Sequence, residues 1–352
     1  MTVVPGSRNS VIKHVIRARF WLIGAALLLV SLAGAACQSK TDQTPLTIYA
    51  GRSQTLIEPL LQQFSKDTGI PIKVRYGDGT DLVLGILEEG KNSPADVYLT
   101  QDVGALGALQ AENRVQKLPQ SILDRVPAAF RSPDGNWVGL SGRARVIVYN
   151  TDKVDPKKLP STIFDYTKPE YRNRLAIVPR SDGFPEFITA MRLTKGEAFT
   201  KQWLRDLKAN APRTFPNNIA AITAIANGEV EIAFLNHYYL YRFLQEQGEG
   251  FKARNYYFDN GDLGGIFLVA GAAILDTAKS KPNAEKFLAY LLEKSAQQYF
   301  ADNTHEYPLI QGVPPEKNLP ALSTLKTPNI DLSDLGDLKG SLELMRQTGI
   351  IP

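Results

Sequence analysis

From residue 46 onward, short apolar runs alternate with amphipathic stretches. Residues 46–49 read as a strand, and Leu56, Ile57, Leu60, Leu61 and Phe64 recur at helical spacing, marking one face of a helix that ends near Gly69. Ile70, Ile72 and Val74 alternate with polar residues as a second strand, residues 82–89 carry a helical period, and 95–99 form a third apolar strand. This βαβαβ opening predicts a parallel sheet. Further strands are predicted at 145–149 and 175–179, with helices near 186–195, 197–208 and 219–226. The Asn227-Gly228 turn then leads into an alternating and finally continuous apolar run up to Leu235, the pattern of a buried strand. Another apolar strand is predicted at 265–275, followed by one long amphipathic helix at 283–301. No internal repeat, low-complexity tract or long charge run interrupts the pattern.

The first 45 residues follow different rules. Arg8, Lys13, Arg17 and Arg19 precede an apolar stretch, 20–36, that ends in small residues, so 1–36 reads as an export signal. Leu32-Ala33-Gly34-Ala35-Ala36-Cys37 resembles the cleavage box of bacterial lipoproteins, which implies lipidation at Cys37, with 37–45 as a polar tether. Gly34 departs from the aliphatic residue usual three positions before the cysteine, and ordinary signal cleavage or an uncleaved anchor are the alternatives. In each case the remainder lies outside the cytoplasm, and without a second cysteine it cannot rely on a disulfide. The four leader cations account for the whole formal charge of +4, so the rest of the chain is neutral. A nucleic-acid partner therefore has no electrostatic basis. Roughly 305 residues remain after the tether, enough for two lobes of ordinary size.

Candidate chemistry concentrates at Asn236-His237-Tyr238-Tyr239. With 14 tyrosines in 352 residues, about half of an adjacent pair is expected by chance, so the pair needs its context to count. That context is the end of a buried strand, the crevice where open α/β sheets bind ligands. Neighbouring side chains on a strand point to opposite faces, so a departure from the strand is needed to aim both phenols at one point. Two phenols beside an amide are hard oxygen donors suited to a trivalent cation. A phenol titrates near pH 10, so capture through both should release about two protons and weaken as pH falls.

Six segments then carry a resemblance: Tyr49-Ala50-Gly51-Arg52, Ser93 through Tyr98, Leu140 through Tyr149, Asn227 through Val230, Asn236-His237-Tyr238-Tyr239 and Glu306-Tyr307-Pro308-Leu309. In this order they resemble the periplasmic ferric-ion-binding proteins of bacterial iron(III) ABC transporters, the bacterial transferrin members of the type II solute-binding fold. The resemblance implies an α/β architecture of two lobes, each a mostly parallel sheet flanked by helices, joined by two crossing hinge strands near 141–147 and 267–273. Lobe 1 would comprise 46–143 and 270–318, and lobe 2 144–269 and 319–352. Fe(III) would sit in the interlobe cleft and the lobes would close over it. Tyr238 and Tyr239 stand where the family places two phenolate ligands. Ser181, Asp182 and Gly183 fall on a loop that in relatives faces a synergistic anion, carbonate or phosphate, and Asn218 and Asn236 align with amides that help to hold it. Donors from loops and helix starts suit such an anion.

The departures are specific. Asp182 puts a carboxylate where relatives carry glycine, Ser53 replaces a family histidine ligand, and Gln101 replaces a glutamate ligand. In other branches an arginine at the position of Arg52 holds carbonate, with a third tyrosine near the position that is Phe184 here. Arg52, with Arg143 as a second candidate, could grip the anion in a bidentate contact. The implied partner is an inner-membrane ABC permease with a cytoplasmic ATPase; the protein is expected to be a monomer in the periplasm or on the outer face of the cytoplasmic membrane, touching that membrane only through its N-terminal lipid or signal.

Plainer roles compete for several residues. His237 aligns with no family ligand and reads as a supporting or exposed residue, and His305 reads as structural. Arg143 and Arg145 alternate on a strand, so at least one is expected at a solvated or salt-bridged surface position. Tyr76, Tyr98 and Tyr241 could supply a missing ligand but fit core or cleft wall better. Other cargoes compatible with the weakened metal shell are a ferric chelate, thiamine or a small oxyanion. An enzyme is disfavoured: no Gly-x-Ser-x-Gly elbow, phosphate-cradling glycine loop or His-Glu-x-x-His helix occurs, and the one cysteine sits at the end of the leader. A sensory module is a third reading, with a stand-alone transport receptor the simpler choice.

Overall fold

The computed structural model describes residues 1–2, 44–181 and 183–352. The expected signal and lipidation site at Cys37, most of the tether, and Asp182 lie outside the described residues. Pro45–Pro352 forms one compact unit.

The opening follows the hydrophobic pattern. β1 (Leu46–Gly51), α1 (Gln54–Thr68), β2 (Ile72–Tyr76), α2 (Gly79–Glu89), β3 (Val97–Thr100) and α3 (Val103–Ala111) alternate, and β1 pairs in parallel with both β2 and β3. Ile57, Leu60, Leu61 and Phe64 form the buried face of α1, which stops at Gly69 in the left-handed conformation with φ 69°. Phe64 packs edge-on against Phe287 and Tyr290, joining this opening to α8 (Lys281–Leu291).

The longest strand, β4 (Val138–Asn150), organises the rest. Its first half pairs with β9 (Phe267–Ile274) as far as Ala144 opposite Phe267. From Arg145 onward its partners are β7 (Ile232–Asn236) and β8 (Ala253–Tyr256). One strand thus belongs to both lobes, and the change of partner between residues 144 and 145 is the crossing. The strand expected at 145–149 is only its second half. Residues 138–144 are buried on both faces, so they lack the alternation that announces a strand. Gly142 is obligatory there, because a Cβ would lie 2.1 Å from the Phe267 ring. The second crossing falls at the start of β9, where the Arg145 amide donates to the Ile266 carbonyl at 3.0 Å.

Lobe 2 adds β5 (Leu175–Ile177), α4 (Phe184–Lys195), α5 (Glu197–Ala209), β6 (Arg213–Thr214), α6 (Asn218–Ala226) and α7 (Tyr238–Gln247). β5 runs parallel to β7 and β6, so each lobe is parallel at its outer edge and antiparallel where the crossing strands lie. The long helix expected at 283–301 is two, α8 and α9 (Lys294–Tyr299), because Glu293 is extended (φ −80°, ψ 157°) and starts a new helix. β10 (Tyr307–Pro308) then pairs with β4 at Ser141 and Gly142, and α10 (Leu338–Gln347) ends the fold.

Candidate functional site

β7 is buried along its whole length and brings Asn236 opposite Arg145 on β4. At His237 the backbone turns helical (φ −60°, ψ −38°), so Tyr238 and Tyr239 open α7 rather than continue the strand. The turn brings the two phenols together: their rings lie 4.3 Å apart and the Tyr238 hydroxyl donates to that of Tyr239 at 3.0 Å. Tyr238 is buried and Tyr239 half-buried. Burial holds the Tyr238 phenol well above its ordinary pKa, the Tyr239 hydroxyl adds to that, and the Arg143 charge pulls the other way.

Cations frame this pair. Arg242, which the sequence reading missed, lies over both rings at 5.4 and 5.7 Å, and its buried Nη2 has no hydrogen-bond partner. Its spacing of three and four residues from the tyrosines on a helix is the signal that could have found it. Arg145 donates to the Asn236 side-chain oxygen at 3.3 Å and to the Phe234 carbonyl at 3.0 Å. Burial lowers its pKa to about 10, which leaves it a cation at neutral pH. Arg143 donates to the Gln101 carbonyl at 2.6 Å and pairs with the Asp102 carboxylate. The surface position expected for one of these two arginines is not found: both are buried, because β4 is covered on both faces where it crosses.

The lobe 1 wall is built around Glu306. Its carboxylate receives Arg52 Nη2 at 2.7 Å, the Ser141 hydroxyl at 2.6 Å and the Gln101 amide at 2.7 Å. Burial by itself would raise the pKa of Glu306, but the Arg52 charge and these donors outweigh it and hold it at about 2. Arg52 Nη1 donates to Ser141 at 3.2 Å, so both terminal nitrogens of Arg52 are engaged within lobe 1. A bidentate grip on an anion would require breaking this pair. Ser53 is exposed, with its hydroxyl 3.0 Å from that of Thr55.

The loop expected to face the anion lies on lobe 2. Gly183 adopts φ 92°, and a Cβ there would lie 3.1 Å from the Asn236 side-chain oxygen and 3.4 Å from Arg145. This sets the start of α4 directly against those two residues. The Gly183 amide donates to Glu186 at 2.8 Å and the Ser181 hydroxyl to the Val178 carbonyl at 2.8 Å. Asn218 opens α6, buried, with its side-chain oxygen unpartnered. His237 is wholly buried: the Ala144 amide donates to Nδ1 at 3.2 Å and Nε2 donates to the His305 carbonyl at 2.9 Å. Chiefly because of burial its pKa falls to about 3, so it is neutral and both nitrogens are in use.

The remaining candidates are accounted for locally. His305 pairs with Glu316 at 2.6 Å, Tyr98 donates to the Gly79 carbonyl at 2.8 Å, and Tyr241 to the Asn318 carbonyl at 3.1 Å. The Tyr76 hydroxyl is buried and unpartnered, and burial pushes its pKa up to about 12. Among the described residues no cluster of three or more His, Cys, Asp or Glu side chains has metal-holding geometry, which leaves the phenols as the concentrated hard donors. Between the lobes lies a cavity of about 700 Å³, bounded by Gln101 and Asp102 on one side and Ser181, Pro185 and Glu186 on the other. The phenols are not on its lining.

Comparison with known proteins gives a consistent result. The model of the family described as bacterial extracellular solute-binding protein matches residues 92–335. The chain is 32% identical over 325 residues to the major ferric iron-binding protein of Neisseria meningitidis serogroup A, covering 91% of this chain and 97% of that one. It is 32% identical over 317 residues to iron uptake protein A1 of a Synechocystis species, covering 88% of each. Among solved structures, iron-bound HitA from Pseudomonas aeruginosa is similar with a TM-score of 0.81 and 34% identity, over 87% of this chain and 99% of that one.

Proposed function

This chain belongs to the bacterial extracellular solute-binding protein family, and from that premise we propose that it is a periplasmic ferric-iron-binding protein of an iron uptake system and not an enzyme. Its relatives are named for ferric iron and iron uptake. The single observation that carries the reading within this molecule is the Tyr238 and Tyr239 hydroxyl pair, 3.0 Å apart at the strand-to-helix turn beside the crossing strand.

Fe(III) is the cargo. Tyr238 and Tyr239 would bind it as phenolates, each giving up its proton, because a hard trivalent ion favours anionic oxygen. Two phenolates leave one positive charge on the ion, and a carbonate or phosphate would cancel it. Asn236, Asn218, Ser181 and Gly183 are the residues we assign to that anion, with Arg145 held against Asn236 behind them. Arg52 serves this site through Glu306, fixing Gln101 and the crossing strand. Members of this family deliver their ligand to ABC transporters; we assign this chain a permease with a cytoplasmic ATPase, and anchorage at Cys37.

The test is a titration of the metal-free protein with Fe(III) supplied as a labile chelate in bicarbonate buffer, following the visible phenolate-to-iron band. A saturable coloured complex at one iron per protein is expected, and Tyr238→Phe/Tyr239→Phe should abolish it. A wild-type protein that stays colourless and retains no iron would refute the proposal.

A further inference from the structure

The C-terminal segment makes an interlobe connection that the crossing strands do not. In the division expected from the sequence, residues 319–352 move with lobe 2. Leu332–Gly336, a short 3-10 turn, instead lies chiefly on α3 of lobe 1, backbone against backbone, with a smaller contact to α4 of lobe 2. A Cβ on Gly107 would fall 2.2 Å from the Ser333 carbonyl oxygen, and one on Gly104 2.8 Å from that of Leu335. Three residues apart, these glycines share one helix face, and any side chain there would hold the turn away. Leu332 and Leu335 are buried, and the Trp137 indole donates to the Ser333 hydroxyl at 3.2 Å.

The next element is attached to the other lobe. α10 packs on α4: Ser341 and Thr189 share a hydrogen bond of 2.7 Å, Arg192 donates to Asp337 at 2.9 Å, and Leu344 and Met345 are buried. Only the peptide joining Gly336 to Asp337 separates the main attachment to α3 from the main attachment to α4. Both anchoring helices begin at the cleft, α3 straight after Gln101 and Asp102 and α4 straight after Ser181 to Gly183.

Rotation of the lobes about the β4 crossing changes the separation of α3 and α4. A tie with both ends packed and a one-peptide joint has no slack to follow that change. Opening must therefore peel the turn from α3, peel α10 from α4, or be stopped. We propose that residues 332–347 are a strap that limits how far the cleft opens and so slows release of the cargo. This inference rests on the two lobes and their crossing, not on the identity of the metal ligands.

Two variants of the full chain test it. Inserting Gly-Gly-Ser between Gly336 and Asp337 gives slack while leaving both packed faces intact; Gly107→Val forces the turn off α3. Small-angle X-ray scattering of the metal-free proteins should show a larger radius of gyration than wild type for both, with the iron-loaded forms unchanged. Iron release to a competing chelator should quicken about tenfold, equivalent to 1.4 kcal/mol. Tryptophan emission, which reports on Trp137 against Ser333, should change in Gly107→Val and not in the insertion variant. Metal-free scattering curves of both variants that superimpose on wild type would overturn the strap, and because that comparison needs no iron it is independent of whether the phenols bind metal.

Discussion

Ferric affinity of this protein should fall as the inverse square of the proton concentration. The Tyr238 hydroxyl donates to Tyr239, and burial holds its pKa well above the ordinary phenol value. Phenols ordinarily titrate near 10, so at neutral pH each one that binds iron must first shed its proton. One proton released costs about 1.36 kcal/mol of affinity for each unit the pH falls, so two phenolates give about 2.7 kcal/mol, or about a hundredfold. The assay is competition against a chelator of known ferric stability at each pH from 6 to 8, read at the charge-transfer band and by retained iron. Wild type should show a slope near two in the logarithm of affinity against pH, and Tyr239→Phe a slope near one together with a weaker complex. The tyrosinate reasoning fails if wild-type affinity is flat with pH, or if Tyr239→Phe leaves slope and affinity untouched.

Three more outcomes follow from the geometry. His237, with its pKa held at about 3, stabilises the fold fully above its unfolded value near 6.5 and progressively less as pH falls from there towards 3, by up to about 1.4 kcal/mol per pH unit; His237→Gln should flatten the loss of thermal midpoint between pH 6.5 and 4, and an unchanged slope would show that another group titrates. Arg52→Leu leaves Glu306 buried and unpaired and should cost about 3–5 kcal/mol, whereas Arg52→Leu/Glu306→Leu should recover much of it, as read by urea unfolding; equal losses in the two variants would mean that the pair itself is not what matters. Removing bicarbonate and phosphate from the buffer should weaken ferric binding at least about tenfold, the upper end of a surface charge contact and the lower end of a buried one; identical affinity with and without the anions would count against an anion-assisted site.

How much of this was legible depended on whether the determining contacts were local. The opening βαβαβ order could be read because each strand and helix there carries its own period, with Ile57, Leu60, Leu61 and Phe64 as the plainest case. The first half of β4 could not, since Gly139, Ser141 and Gly142 are chosen by the Phe130, Phe267 and Glu306 groups that press on them and not by any alternation. The break at Glu293 has no marker either; neither Gly nor Pro stands there, and only the backbone of the folded chain shows the new helix start. The phenol pair was visible because its two members are adjacent. Glu306, more than 200 residues from Arg52 and Gln101, was seen only as part of a motif, and its role as the shared acceptor of both needed the fold.

The same distinction bears on charge, where a list of basic residues misleads. Arg52 and Arg143 are each matched by a carboxylate, Glu306 and Asp102, although the Arg143 charge still pulls the Tyr238 pKa down. Arg145, favoured as a cation by the charge of Glu186, is held against Asn236, and Arg242 lies directly over both rings. The charges of Arg143 and Arg145 favour a Tyr238 phenolate. Once a ferric ion is bound, they and the residual charge of the ion repel one another. On the proposed reading a mobile anion would resolve the conflict, entering with the metal, satisfying Arg145 and the amides beside it, and leaving when the metal leaves. A fixed carboxylate at the same place would raise the phenol pKa values in the empty state and hinder capture. Gln101, turned onto Glu306, fits this division: lobe 1 is neutralised internally, and on the proposed reading the balancing charge is left to an exchangeable partner.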